Sequence, residues 1–385
     1  MTSGREAVAS FFHSVNRRIR QDNVPFVPPA AWYQLIDDDF GEIWFPSHGC
    51  SWSVIGTCSM CNYGVPLPPT DDQMVGAVAL ALASFERLPS RLWVSSFDVL
   101  DPRDVPVDVR RQIYRLLART PTQIIISESH PLCVRFADVK ECVDLLEGKI
   151  FGLELGIETM NDFVRNWCLH KNFLTRHVHR AIDVARAAGA EVYANLFVGA
   201  PFLTTMEWIE DAIDSTRTAL DAGADSVVLL PCHVKRGTLC DWLYQRGLYR
   251  PPSLWTVMEI LIRVEPRYWP RIKLSWILTK EHPGHPQLIS PIDEHASPRS
   301  LLSALSKFNQ SADGTIFQPL LSFPEYIRWH KEMKLNTPDT LPDRIAKCLP
   351  LIAKNIMGHQ WWHLNERSIT DNLWKDWNLA QKHIH

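Results

Sequence analysis

Short apolar runs alternate along this chain with stretches whose apolar positions recur every three to four residues, the periods of buried strands and amphipathic helices. Residues 1–22 have a helical period, and 23–33 form a Pro-rich lead-in. The first strand-like run is Glu42 to Pro46, followed by a Cys-rich loop. A helix is predicted over 71–87, with Asp71 and Asp72 at its N-terminal end, where negative charge suits the helix dipole. Further strands are predicted at Arg91 to Phe97, Gln123 to Glu128, Ile150 to Ile157, Glu191 to Val198 and Ser226 to Leu230, with a candidate seventh at Ile272 to Leu278. Helical periods separate them at 105–119, 136–147, 175–189 and 204–223, the last two closing at Gly189 and Gly223. Six strand–helix alternations with short connections predict parallel βα units, in a doubly wound sheet or a barrel; alternation does not separate the two.

The pattern changes near residue 280, where EHPGHPQLISPIDEHASPRS is turn-rich and polar. The expected organisation is an N-terminal extension at 1–40, a βα domain at 41–280 and a smaller mixed α/β domain at 281–385, with helices around 297–308 and 341–357. Length agrees, since 385 residues suit a barrel of roughly 250 with about 100 appended. At 46% hydrophobic and 22% charged the composition is that of a folded protein. A net charge of −3 excludes a global electrostatic pull toward nucleic acid or anionic membrane, though not a local basic groove. The longest low-polarity stretch, Met74 to Ser84, is about half of the roughly 20 residues that a membrane span needs. The N-terminal stretch lacks an apolar signal core, so a cytoplasmic location is expected. In that setting nine Cys favour metal or redox chemistry over disulfides.

The chemistry concentrates in HGCSWSVIGTCSMCNYG. Cys50, Cys58 and Cys61 are spaced C-x7-C-x2-C directly after the first predicted strand. A structural zinc site wants four closed ligands, and His48 is the candidate fourth. Three thiolates without a fourth suit a [4Fe–4S] cluster with one iron open to an exogenous ligand. A thioredoxin-type reading of Cys58 and Cys61 fails, because the pair does not open a helix and Cys50 is left over.

With this loop, GCSWSVIGTCSMCNYG (49–64), the chain carries SSFDVLDPRDVP (95–106), SESHP (127–131), ELGIETMNDFVRN (154–166), YANLFVGAPFLTTMEWIEDA (193–212) and GADSVVLLPCHVKRGTLCDWLYQRGLYRPPSLWTVMEIL (223–261). In order and spacing these resemble the Elongator-like branch of the radical S-adenosylmethionine (SAM) superfamily, and within it the archaeosine-biosynthesis radical SAM proteins. The resemblance spans about residues 30–280. It implies a partial (β/α)6 TIM-like barrel of the radical SAM type, with the smaller mixed α/β domain behind it. It also implies a [4Fe–4S] cluster on Cys50, Cys58 and Cys61, SAM as second cofactor, and an external electron donor such as flavodoxin or ferredoxin.

Carried residue by residue, the resemblance places Met60 and Tyr63 near the adenine, and Ser95 and Ser96 where the superfamily contacts the SAM amino group, although the usual Gly-Gly-Glu is absent. Glu128 ends the third strand. Glu154, Gly156 and Glu158 share one parity on the fourth, so all three can face inward. Asn195 faces inward if Tyr193 does. Lys235 and Arg236 follow the sixth strand, where a cation holds a carboxylate. Cys232 after Pro231 is a candidate to return a hydrogen atom, and Glu154 a catalytic carboxylate. Each has a plainer reading: strand carboxylates pair with barrel cations, Lys235 and Arg236 form a solvated turn, and Cys232 packs like the remaining cysteines. Glu281, His282, His285, Asp293, Glu294 and His295 read as a polar loop, and His383 and His385 as a frayed tail.

Two departures shape the functional expectation. The roughly 100 residues after the barrel show no pyrophosphate loop of an acetyltransferase. They also show no dense basic run, as a tRNA-binding domain would. The expected activity is therefore hydrogen abstraction by the 5′-deoxyadenosyl radical from a small polar, amino-acid-like or nucleoside-like molecule of specialised metabolism. It would lead to desaturation, C–N cleavage or rearrangement. The alternatives are tRNA base modification with a partner, as the resemblance implies for the archaeosine enzyme, and a non-catalytic zinc protein.

Overall fold

Every named strand in the computed structural model belongs to one eight-stranded sheet, and the strands lie in it in sequence order. The structure describes residues 4–21, 32–64, 67–275, 289, 291, 298–334 and 338–382. Strands β1 (Trp32–Leu35) and β2 (Phe40–Trp44) form an antiparallel hairpin. From β2 onward every pairing is parallel, through β3 (Arg91–Ser95), β4 (Ile124–Ser129), β5 (Ile150–Glu158), β6 (Glu191–Val198), β7 (Ser226–Pro231) and β8 (Ile272–Leu274). An order that never reverses settles the choice that alternation left open. Right-handed crossovers then place every helix on one face, as in a barrel, whereas a doubly wound sheet reverses and has helices on both. No β1–β8 pairing occurs among the described residues, so the sheet is an open, partial barrel.

A helix α1 (Gly4–Gln21) precedes the sheet, and α2 (Ser51–Ile55) lies within the cysteine loop. The crossovers are α3 (Asp71–Ser84), α4 (Val107–Ala118), α5 (Phe136–Leu145), α6 (Thr175–Ala187) and α7 (Thr205–Asp221), then α8 (Leu239–Tyr244) and α9 (Leu254–Arg263) between β7 and β8. Reciprocal capping boxes, Thr70 with Gln73 and Thr204 with Glu207, start α3 and α7, each worth about 1 kcal/mol. Alternate strand residues divide the sheet. Leu92, Ile125, Leu153, Val192, Val227 and their neighbours are buried under the helices in one apolar core. The opposite parity, including Glu42, Trp93, Glu128, Glu154, Tyr193 and Asn195, lines the concave interior.

Beyond β8 the described residues are helical apart from an isolated bridge between Val234 and Ile289. Leu301, Leu305 and Phe308 of α10 (Arg299–Ser311) and Tyr326 of α11 (Pro324–Met333) join the barrel core. Helices α12 (Leu341–Ile356) and α13 (His359–Gln381) pack with α1 in a second core built from Phe11, Phe12, Val15, Ile345, Trp362 and Leu373. Several tryptophans pack there: Trp361 stacks on Phe11 at 5.1 Å and Trp377 meets Phe163 edge-on at 5.0 Å. The sequence pattern did not reveal β1, α8 or α9. The polar loop of Glu281, His282, His285, Asp293, Glu294 and His295 and the tail histidines 383 and 385 lie outside the described residues.

Candidate functional site

A cavity of about 450 Å³ runs through the concave face of the sheet. One end is walled by Cys50, Cys58, Cys61, Met60 and Tyr63, at the C-terminal ends of the strands, the face that carries chemistry in βα barrels. Cys50 caps the short helix α2 with an extended backbone, and its amide bonds the Tyr63 carbonyl at 3.0 Å, closing the loop on itself. Across the mouth, Ser59 donates its amide to Leu169 O (3.0 Å) and its hydroxyl to Cys168 O (2.8 Å), fixing the loop to the turn after β5.

The loop is also held from α1. The Arg20 guanidinium donates to the carbonyls of Thr57 (2.6 Å), Cys58 (2.8 Å), Cys61 (2.8 Å) and Ser53. Asn16 Nδ2 donates to Gly56 O at 2.9 Å. Gly56 has φ +93°, and a Cβ there would lie 2.2 Å from the His13 carbonyl, so only glycine lets the helix approach so closely. No sequence periodicity signals this clamp, because it joins residues some 40 apart.

Cys58 accepts a hydrogen bond from Cys61, and with Lys171 and Arg20 nearby its thiol is pulled down to about 6 despite burial. Cys61, keeping the shared proton, is pushed up, as is Cys50 by burial and the neighbouring Cys58 charge. Lys171 is buried and pairs with Glu158 Oε1 at 2.8 Å. Burial works against its charge, but Glu158 and Cys58 overcome this and raise it above the ordinary lysine value. Lys235 Nζ bonds the Tyr63 hydroxyl and lies 4.2 Å from that ring's centroid.

Deeper in, Asn195 Nδ2 donates to Glu128 Oε1 (3.0 Å) and approaches Glu154 Oε2 (3.4 Å), which also accepts from Trp93 Nε1 (3.0 Å). Burial, then the charges of Glu154 and Glu158, lift the Glu128 carboxyl to about 8. Burial lifts Glu154 to about 7 against its two hydrogen bonds. Trp44, Trp93, Tyr63 and Phe97 form an aromatic wall, with Tyr63 and Phe97 stacked at 4.6 Å.

The structure thus brings Cys50, Cys58, Cys61, Met60, Tyr63, Glu128, Glu154, Gly156, Glu158, Asn195 and Lys235 to one cavity. Four expected residues are elsewhere. Ser95 Oγ accepts the Glu128 amide (3.0 Å), and Ser96 donates to Ser47 in a buried chain to Asp104; neither lines the cavity. Arg236 is exposed. Cys232 is fully buried against Cys240 and Tyr249 in the second core: Ser226, Val228 and Leu230 face the cavity along β7, but the strand ends at Pro231, the alternation breaks there, and Pro231, His233 and Lys235 line the cavity instead. It does not face the cavity, so the expectation that it returns a hydrogen atom is withdrawn. His48 turns to Asp71 at 4.0 Å. Sequence reading missed Lys171, His130, His233, Trp44, Trp93 and Phe97. Trp93 was recoverable from its parity with Glu154 across paired strands, and Lys171 had no such signal.

The donor set suits an open cluster better than zinc. A zinc tetrahedron with Zn–S of about 2.3 Å needs sulfurs about 3.8 Å apart. Among the described residues the three cysteines do not all lie within 4.8 Å of one another; the trio that does is Asp98, Asp101 and Cys133.

An open parallel barrel with three loop cysteines gathered at the C-terminal ends of its strands defines a radical SAM protein. The chain is 30% identical over 260 residues to archaeosine synthase subunit beta of Methanosarcina acetivorans, covering 64% of this chain and 75% of that protein. It is 30% identical over 250 residues to the protein of the same name from Thermococcus kodakarensis, covering 63% and 74%. The chain belongs to this archaeosine synthase subunit beta family. Methylornithine synthase is a similar solved structure, with TM-score 0.45, 14% identity and coverage of 83% of this chain and 93% of that one. No family model matches the chain.

Proposed function

We propose that this protein is a radical SAM enzyme that abstracts hydrogen from a polar substrate bound inside the barrel. The observation that carries this reading is the convergence of Cys50, Cys58 and Cys61 on one end of a cavity whose walls are otherwise carboxylates, amides and aromatic rings. These three cysteines would hold a [4Fe–4S] cluster. When bound, the cluster and SAM supply a 5′-deoxyadenosyl radical, which takes a hydrogen atom from the substrate. The chain's own residues do the rest. Trp44, Trp93, Tyr63 and Phe97 keep water from the reacting carbon. Asn195 is held by Glu128 and Glu154, so its free carbonyl oxygen is aimed as an acceptor. Glu128, with its carboxyl near 8, keeps a proton at neutral pH and can donate it to a substrate heteroatom. Reductant comes from an external donor of the flavodoxin or ferredoxin type. The reaction type belongs to the oxidoreductases or lyases.

A second reading rests on the name of the two relatives: as a subunit, the chain would work with a protein partner on a tRNA base inserted into the same cavity. A zinc protein is the weakest reading, because among the described residues His48 turns to Asp71 and does not gather with the cysteines into one metal-sized group. Anaerobic reconstitution with iron and sulfide analysis separates these. About four irons and four sulfides per chain support the enzyme, and one zinc without iron contradicts it. Sub-micromolar tRNA binding in physiological salt would favour the second reading over a small free substrate.

A further inference from the structure

The end of the cavity away from the cysteines is built differently. Arg91 of β3 lines it, and Lys273 of β8, in the register row of Val228 and Asn195, lines the cavity near enough for the Arg91 charge to act on its ammonium. Arg91 shares its register with Ile124 and Ile150, at the far end of β5 from Glu158. Among the described residues the Arg91 guanidinium makes no hydrogen bond or ion pair; its side chain lies against the Phe40 ring, 5.6 Å from its centroid. Lys273 Nζ has a 3.4 Å contact with the Asn309 carbonyl. Burial and then the Arg91 charge lower the Lys273 ammonium, with Asp37 offsetting part of this. The carboxylates that share this space are otherwise engaged: Asp37 Oδ1 accepts the amides of Asp39 and Phe40, Glu42 accepts from Gln34, and Glu154, on which the Arg91 charge acts, accepts from Trp93 and Asn195. Two cations facing one half-buried space repel each other, and a partly desolvated cation without a partner is costly.

The middle of the cavity adds an independent unmet group. Asn195 is 3% exposed, its amide nitrogen is fixed by Glu128 and Glu154, and its Oδ1 has no partner among the described residues. Buried polar atoms are rarely left so. It asks for a hydrogen-bond donor.

The geometry points to a substrate that is anionic at one end, with its carboxylate or phosphate between Arg91 and Lys273, and that carries an N–H or O–H donor for Asn195 nearer the cysteines. This inference rests on the enzyme reading for the word substrate, but the anion site stands on Arg91 and Lys273 alone. Amino acids and nucleotides fit the description; neutral lipids and free nucleosides do not. The negative group anchors the molecule far from the reacting end, so remote binding energy positions the carbon that loses hydrogen.

The test is thermal unfolding of the full-length protein with inorganic phosphate, L-glutamate, adenosine monophosphate and adenosine, against sodium chloride at matched ionic strength. At least one anion should stabilise the wild type, and adenosine should not. Arg91→Met and Lys273→Met should each weaken that anion at least about tenfold, while Arg236→Met, on the exposed surface, leaves it unchanged. Whether glutamate or the phosphates bind tells carboxylate from phosphate. Iron loading and SAM binding should be normal in both variants. No anion effect, or one that survives both substitutions, overturns the inference. Loss of SAM affinity in Arg91→Met or Lys273→Met also overturns it, by assigning the cations to SAM. If the wild type binds the anion but loads no iron, the enzyme reading fails and the anion site remains.

Discussion

Arg20 shows how much a single side chain contributes to this site. Its donors engage four loop carbonyls, two of them on cluster-loop cysteines, and its charge lies near the Cys58 thiol. Hydrogen bonds from a charged group contribute roughly 1.5–3 kcal/mol each when buried. Arg20→Met should therefore leave a folded protein whose loop is loose: iron per chain after reconstitution falls at least about threefold, and Arg20→Lys, with fewer donors, recovers only part. Equal loading in all three would remove the clamp from the description. The carboxyl pair gives a second prediction at this scale. The folded state holds Glu128 up at about 8 and Glu154 at about 7, from an ordinary 4.5. Raised values mean that the folded protein binds these protons more tightly than the unfolded chain. Their stabilisation is complete below about pH 4.5 and is lost as pH rises through 7 and 8. Melting temperature of the cluster-free protein should fall across that window, and Glu128→Gln should flatten the fall. A slope unchanged in Glu128→Gln would mean that this carboxyl ionises freely.

At the scale of elements, helix α1 links the C-terminal helices to the cysteine loop: Arg18 donates to Ile356 O at 2.9 Å while Asn16 and Arg20 hold the loop. Gly56→Ala places a Cβ against the His13 carbonyl at a left-handed backbone position. The cost should be about 2 kcal/mol or more, read as a lower denaturation midpoint together with reduced iron loading. Normal stability in this variant would show that α1 tolerates displacement. The helix itself was visible in the sequence as an amphipathic run. Its role was not, since the contacts Arg20 and Asn16 make depend on tertiary packing. The parallel strands were legible because each is a compact apolar run between helical periods. β1 was not, because WYQL follows a Pro-rich stretch and pairs as the edge of a hairpin. Parity on β5 correctly grouped Glu154, Gly156 and Glu158. The same rule carried past Leu230 would turn Cys232 inward with Ser226 and Val228; it fails because β7 ends at Pro231, a boundary that periodicity alone leaves open by a residue or two.

For the whole molecule, the open sheet, the loop clamp and the cavity make one arrangement: cysteines at the C-terminal mouth, carboxylates and aromatics in the middle, cations at the far end. Family membership and partial barrel agree with what the motifs suggested, and the sequential strand order supplies the physical reason for a barrel. The basic floor was not legible, because Arg91 and Lys273 are far apart in sequence and meet only when the sheet curls. The central claim is that this cavity generates a radical at its cysteine end. Its most direct measurement is 5′-deoxyadenosine release from SAM by the anaerobically reconstituted, reduced protein, beside a Cys58→Ala variant. Deoxyadenosine formed by the wild type and lost by at least about a hundredfold in Cys58→Ala is the expected result. A fully loaded wild type that leaves SAM intact, with and without candidate anionic substrates, would contradict it.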